Sequence, residues 1–196
     1  MRPSILLAVG LAMVVPAGAA AQDTSTGNAA FSYVLMHDSD VDGTFPKGWL
    51  GAVAGRISKL VDIVAEIGQS SKTLTEEFSG ARATLRLLNY GAGPRFVRRS
   101  SARAMPFAQV VVGGVRASAG IESCGAFLTP ADCDDARDLS PSANGFALQP
   151  GGGVDLALSR RIGLRLQSDY RYIRVEGENL HELRFASGVV LRFGGH

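Results

Sequence analysis

The chain has 196 residues, with 20 Lys and Arg against 18 Asp and Glu, a near balance that argues against nucleic acid as the main partner. Glycine is high, 24 residues or about 12% against a usual ~7%. Past the N-terminal segment no apolar run reaches about 18 residues, which excludes a membrane helix, so that a membrane protein with this sequence must be a closed barrel.

Residues 1–21 read as a signal peptide. Arg2 gives the positive start, residues 5–15 the apolar region, Pro16 a break, and Ala19-Ala20-Ala21 the small-residue pattern for cleavage before Gln22. The alternative is a short membrane anchor, for which the run is marginal. No Cys stands at the cleavage site, which argues against a lipoprotein. Residues 22–196 then form one domain.

Eight strands are predicted, near residues 30–38, 47–57, 60–70, 82–98, 104–118, 144–159, 162–174 and 181–193. The first two are the short apolar runs "FSYVLMHD" and "WLGAVAGRI". The third, "RISKLVDIVAEIGQSS", also fits a helical stripe through Ile57, Leu60, Val61, Val64 and Ile67. As a strand it sets Val61, Ile63, Ala65 and Ile67 against Asp62, Val64, Glu66 and Gly68, and its neighbours favour the strand. In the fourth, Leu88, Tyr90, Ala92 and Phe96 oppose Asn89, Gly91, Gly93 and Arg95. Leu85 and Leu87 are out of phase with that set, which suggests a bulge near Leu87. In the fifth, placing Arg116 on the polar face puts Val110 and Val112 beside it and leaves Gln109 on the apolar side with Phe107 and Val111, a conflict of register.

The last three strands alternate plainly. Phe146, Leu148, Val154, Leu156 and Leu158 oppose Gln149, Gly151, Gly153 and Asp155. Leu164, Leu166, Tyr170 and Tyr172 oppose Arg165, Gln167, Asp169 and Arg171. Leu183, Phe185, Val189, Leu191 and Phe193 oppose Glu182, Arg184, Ala186, Gly188 and Arg192. Glycines inside these segments, as in Gly113-Gly114 and Gly151-Gly152-Gly153, mark bends, bulges or close backbone approach. Connections alternate between short (56–59, 98–103, 159–161) and long and polar (37–46, 71–81, 119–143), with 175–180 between. Tight turns at one end and long loops at the other are the pattern of a transmembrane β-barrel.

The polar faces carry Asp62, Glu66, Arg95, Arg116, Asp155, Arg165, Asp169, Arg171, Glu182, Arg184 and Arg192. These charges are mixed in sign and can pair inside an eight-stranded barrel, whose interior is just wide enough for side chains. The fold expected is therefore an all-β, eight-stranded antiparallel up-and-down transmembrane β-barrel, apolar outside and charged inside. Phe31, Tyr33, Trp49, Tyr90, Phe107, Tyr170, Tyr172 and Phe193 are candidates for interfacial girdles, with core packing as the alternative.

The stretches "YGAGPRF", "PFAQVVVGGVR", "LQPGGGVDLALSRRIGLRLQSDYRYI" and "LRFASGVVLRFG" resemble the small OmpA-like outer-membrane β-barrel family of Gram-negative bacteria, over nearly all of residues 22–196. The resemblance implies a cell-envelope porin-like or surface barrel in the outer membrane, with a structural, surface-interaction or narrow-pore role and no catalysis. It implies contact with outer-membrane lipid, and an extracellular ligand where the long loops hold one. It also implies that Gly188, Leu191 and Phe193 form the signal read by the barrel-assembly machinery. The chain departs from the pattern at Ala186, where a polar residue is usual, and runs on through Gly194, Gly195 and His196.

Other chemistry is thinly represented. Cys124 and Cys133 suit a disulfide in the oxidising compartment that export implies; a metal site with Asp132, Asp134 and Asp135 has no His and too few thiols. Asp38, Asp40 and Asp42 alternate in a loop and suit weak calcium binding or plain solvation. His37 beside Asp38 and Ser39, and His181 beside Glu182, show no nucleophile motif, which weighs against a lipid-modifying enzyme. Gly48-Trp49 offers a soluble periplasmic lipocalin-like carrier of an apolar ligand as the runner-up. No cofactor is implied.

Overall fold

A computed structural model describes residues 26–38, 43–75, 82–99, 103–123, 142–175 and 177–194. The segment 1–21, the acids Asp40 and Asp42, and Cys124, Cys133 and the acids between and beside them lie outside the described residues. Within them the chain forms eight antiparallel strands: β1 (Gly27–Asp38), β2 (Gly43–Arg56), β3 (Val61–Thr75), β4 (Arg82–Val97), β5 (Ala104–Ser123), β6 (Ser142–Ala157), β7 (Ile162–Val175) and β8 (Glu178–Phe193). Each pairs with its sequence neighbours, and β8 closes on β1. The ambiguous third segment is strand from Val61 onward, after a tight turn at residues 57–60, and holds no helix.

The closure has a defined stagger. From Ala29 the ladder runs through Val53, Ala65, Ala92, Val112, Leu148 and Tyr172 to His181. His181 precedes Glu182, whose β1 partner is Asp38, so one circuit returns to β1 ten residues above its start. Eight strands with this stagger tilt at about 40° to the barrel axis. The ladder also climbs, by about 1.25 residues per strand.

Two of the tight turns repeat one device. Ser58 Oγ accepts from the amides of Leu60 (3.3 Å) and Val61 (3.1 Å), and Ser159 Oγ from those of Arg161 (3.3 Å) and Ile162 (3.0 Å). A hydroxyl that takes up amides left by the tight reversal favours the turn. Thr26 and Gly194 lie at this same turn end, where the Thr26 amide donates to Phe193 O at 3.0 Å.

Outward side chains form an apolar band. Phe31, Val53, Phe96, Phe185, Leu191 and Phe193 are all exposed by half or more. A water-soluble monomer rarely shows so large an apolar surface. On β7 the outward run from Ile162 to Tyr172 covers about 33 Å of strand. At a tilt of about 40° that spans about 25 Å, the height of a lipid-facing band.

Above this band, toward the loop end, the alternation inverts. On β4, Leu85 and Leu87 pack inside while Arg86 is exposed; on β5, Val115 is buried and Arg116 exposed; on β7, Ile173 is buried and Arg174 exposed. Three sequence expectations are corrected by this. The β3–β4 register is unbroken from Val61 to Thr75, so there is no bulge near Leu87; the phase slip is a change in which face is apolar, outward within the band and inward above it. Gln109 faces in at 2% exposure and Arg116 faces out, the reverse of the predicted β5 faces, because Arg116 stands above the apolar band. Phe107 is buried inside and takes no part in a girdle. The strands also overrun the predicted loops: β5 reaches Ser123, β3 Thr75, and β8 starts at Glu178.

Candidate functional site

The lumen is built from the inward positions of all eight strands. Of the eleven charges expected there, Asp62, Glu66, Arg95, Asp155, Arg165, Asp169, Arg171, Glu182, Arg184 and Arg192 are all buried. Arg116 is the exception described above.

The central layer links strands that share no edge. Arg184 on β8 reaches Glu66 on β3 at 2.9 Å and Asp169 on β7 at 2.8 Å. Gln109 on β5 donates to Glu66 at 2.8 Å, and Gln167 donates to Asp169 at 2.9 Å and to Glu66 at 3.2 Å. Arg95 donates from Nε to Gln109 at 2.8 Å and lies 3.7 Å from Glu66. The carboxylates are thus shared among donors, as buried charges require. Sequence reasoning missed Gln109; its odd spacing from Arg116 was the available signal, since one of the two had to face the other way.

Toward the turn end, Arg165 holds Asp155 through two bonds of 2.7 and 2.8 Å. The Arg165 and Arg95 guanidiniums lie over the Phe107 ring, 5.2 and 4.5 Å from its centroid. The ring face is negative, so one aromatic separates and serves two cations that would otherwise repel. Arg99, just past β4, folds back onto Asp62 at 2.5 and 2.7 Å.

Toward the loop end the interior turns apolar. Val34, Met36, Phe45, Leu50 and Ala186 form one cluster, and Val115, Ala147 and Ile173 another. Leu87 packs against both, so the apolar layer reaches across the lumen. One ion pair is set within it: Arg171 and Glu182, at 2.8 Å, with the Arg171 guanidinium also 3.2 Å from Met36 Sδ.

The outer rim at the loop end carries a second arrangement. Arg116 pairs across the ladder with Leu88 and Asn144; Arg86 is two residues up β4 from Leu88, and Arg174 is the partner of Phe146, two residues down β6 from Asn144. With the ladder climbing about 1.25 residues per strand, the three arginines stand at one height to within about one residue. All three are exposed, and Lys47 and His37 are exposed on the outward faces of β2 and β1. Just below them lie Tyr33, Trp49, Tyr90 and Tyr170. Among the described side chains, no Asp or Glu occupies an outward position on a strand. The rim is therefore a cationic collar directly above an aromatic belt. His181 belongs to it, with Nδ1 2.5 Å from Tyr170 Oη and its ring against Tyr172.

Of the expected assembly-signal residues, Leu191 and Phe193 face outward near the turn end, and Gly188 faces inward on the same strand. Among the described residues no group of His, Cys, Asp and Glu has the arrangement of a metal site.

No family model matches this sequence, and no curated protein does. Solved structures do match. Neisserial surface protein A is 16% identical over 85% of this chain and 96% of its own, with a TM-score of 0.60. Ail, the attachment invasion locus protein of Yersinia pestis in complex with the heparin analogue sucrose octasulfate, is 13% identical over 86% and 97%, with a TM-score of 0.53. The N-terminal β-barrel domain of Pseudomonas aeruginosa OprF is 8% identical over 85% and 98%, with a TM-score of 0.51. What is shared at these identities is the fold, an eight-stranded outer-membrane type of barrel.

Proposed function

We propose that this chain is an outer-membrane β-barrel that acts at the cell surface as a structural and ligand-holding protein, without conducting solutes and without catalysis. The observation that carries this reading is the division of faces: an apolar band of membrane height outside, and a lumen filled by paired charges and closed by the Leu87 layer. A narrow pore needs a continuous polar path, and the Leu87 layer speaks against one. A lipocalin-like carrier needs an apolar cavity, whereas Glu66, Asp169 and Arg184 occupy the barrel centre. In this reading the turn end faces the periplasm, residues 1–21 direct export, and Gly188, Leu191 and Phe193 serve barrel assembly. The loop containing Cys124 and Cys133, closed by their disulfide, is then extracellular.

The cationic collar would stand at the headgroups of the outer leaflet, where phosphates offer the complementary charge. Ail, of the same fold, was crystallised with a sulfated sugar. A polyanion at the loop end is thus the ligand class this reading favours here.

Cell fractionation with a heat-modifiability gel tests the placement: the protein should sediment with outer membranes and run faster unheated than boiled. Planar-bilayer recording tests the closed lumen. Steady unit conductance in the unmodified protein would refute the non-conducting role, and recovery in the soluble periplasmic fraction would refute the barrel's membrane placement.

A further inference from the structure

The turn-end mouth of the lumen is a small, partly open cleft lined by Arg56, Arg95, Arg99 and Arg192 with Asp62 and Asp155. Its charges do not cancel locally. Asp62 is held by Arg99 through two contacts, and Asp155 by Arg165 through two. The remaining described lumen carboxylates are engaged further in, Glu66 and Asp169 by Arg184, and Glu182 by Arg171. Among the described residues no carboxylate pairs with Arg192.

Arg192 is 8% exposed, and its Nη2 is buried with no hydrogen-bond partner among the described residues. Arg95, 1% exposed, uses Nε on Gln109 and stands 3.7 Å from Glu66 through Nη2, but its Nη1 and Nη2 make no hydrogen bond among them. Both residues line the same cleft. Gly163 lets the Arg192 guanidinium pack against the β7 backbone, since a Cβ there would stand 3.0 Å from Nη2. A guanidinium does not shed its charge in a protein, and a buried unsatisfied charge is costly. Arg192 supplies the charge that lacks a partner and Arg95 the unused donors, and a guanidinium fork matches the geometry of an oxyanion, which it can grip with parallel N–H donors.

We infer that the turn-end mouth is a binding site for a small oxyanion of the phosphate or carboxylate class, held by Arg192 and Arg95 with Arg56 and Arg99 at its edge. An anion there would supply the acceptors that the lumen carboxylates do not, and would couple occupancy of the mouth to stability of the barrel. The site goes beyond the surface role proposed above. Only its opening toward the periplasm rests on that reading; binding itself does not.

The test uses the whole chain refolded in detergent micelles, so that it stands apart from membrane placement. Unfolding midpoints are measured in inorganic phosphate, acetate and chloride at equal ionic strength, for the unmodified chain, Arg192→Gln, Arg192→Lys and a control, Arg160→Gln, at an exposed turn position outside both the cleft and the collar. A bound anion stabilises in proportion to the logarithm of its saturation. Phosphate, acetate or both should therefore raise the midpoint above chloride, with the larger response assigning the site to that anion. Arg192→Gln should weaken the apparent affinity about tenfold or more. Without added oxyanion the same variant should be at least as stable as the parent, because an unpaired buried charge is gone. Arg192→Lys, which keeps the charge but loses the fork, should fall between and carries the test if Arg192→Gln does not fold. Arg160→Gln should respond like the parent. Equal stabilisation by chloride, meaning screening or water alone at the mouth, would overturn the site. So would an undiminished oxyanion response in both Arg192 variants.

Discussion

Glu66 on β3 and Arg184 on β8 meet at 2.9 Å across the lumen, although their strands share no edge. The pair fixes two walls of the barrel to one another independently of the backbone ladder. Arg184 also holds Asp169, so its loss would strand two buried carboxylates. Removing one partner of such a pair costs about 3–5 kcal/mol. Arg184→Gln should accordingly destabilise more than Glu66→Gln, and the double variant should cost less than the sum of the two. Equilibrium urea unfolding of the barrel in lipid vesicles measures all three.

Phe107 lies beneath Arg95 and Arg165. Leucine in its place would keep most of the bulk and lose the ring quadrupole that both cations face. Phe107→Leu should cost about 1–2 kcal/mol by the same unfolding assay. Phe96→Leu, on the lipid-facing side, should cost less, since lipid contacts a leucine as well as it contacts a ring.

Gly151 is the cross-strand partner of Asp169, and a Cβ there would run into the Asp169 carboxylate. Gly151→Ala should displace that carboxylate from Arg184 and cost about 1–3 kcal/mol. At Gly120 a Cβ meets nothing within 4 Å, so Gly120→Ala should stay within about 0.5 kcal/mol of the parent. Comparing the two separates the need for space inside the barrel from any general effect of removing glycine.

The high glycine content was thus visible in the sequence, but its purpose required the register that sets Gly151 against Asp169. The eight strands were legible because inside the lipid band one face is apolar and the other charged, as with Leu164 and Leu166 against Arg165 and Asp169. Leu85, Leu87 and Arg116 misled for a single reason. Period-2 patterning reports that two faces differ, and not which of them is wet. Above the band the wet face moves from inside to outside, so the same strand inverts its pattern without a bulge. The paired charges Glu66, Asp169 and Arg184 could be assigned to the lumen as a class. Their partners could not be assigned, because contacts across the barrel join strands far apart in sequence.

The cationic collar yields the last prediction. Arg86, Arg116 and Arg174 lie at one height on β4, β5 and β7, above an aromatic belt and with no outward acid beside them among the described side chains. Replacing all three by Gln removes charge where the barrel would meet anionic headgroups, while leaving the lumen untouched. Each charge near an anionic membrane surface contributes about 1 kcal/mol, and the contribution falls with salt. The triple variant should therefore fold as well as the parent, yet lose its preference for vesicles rich in phosphate-bearing anionic lipid over neutral ones. Refolding yields into vesicles of both compositions, at low and at high salt, measure that preference directly. High salt should reduce the parent's preference to that of the variant. A preference that survives both the substitutions and the salt would mean that the collar is only solvated, and that lipid selectivity, if any, comes from the loops.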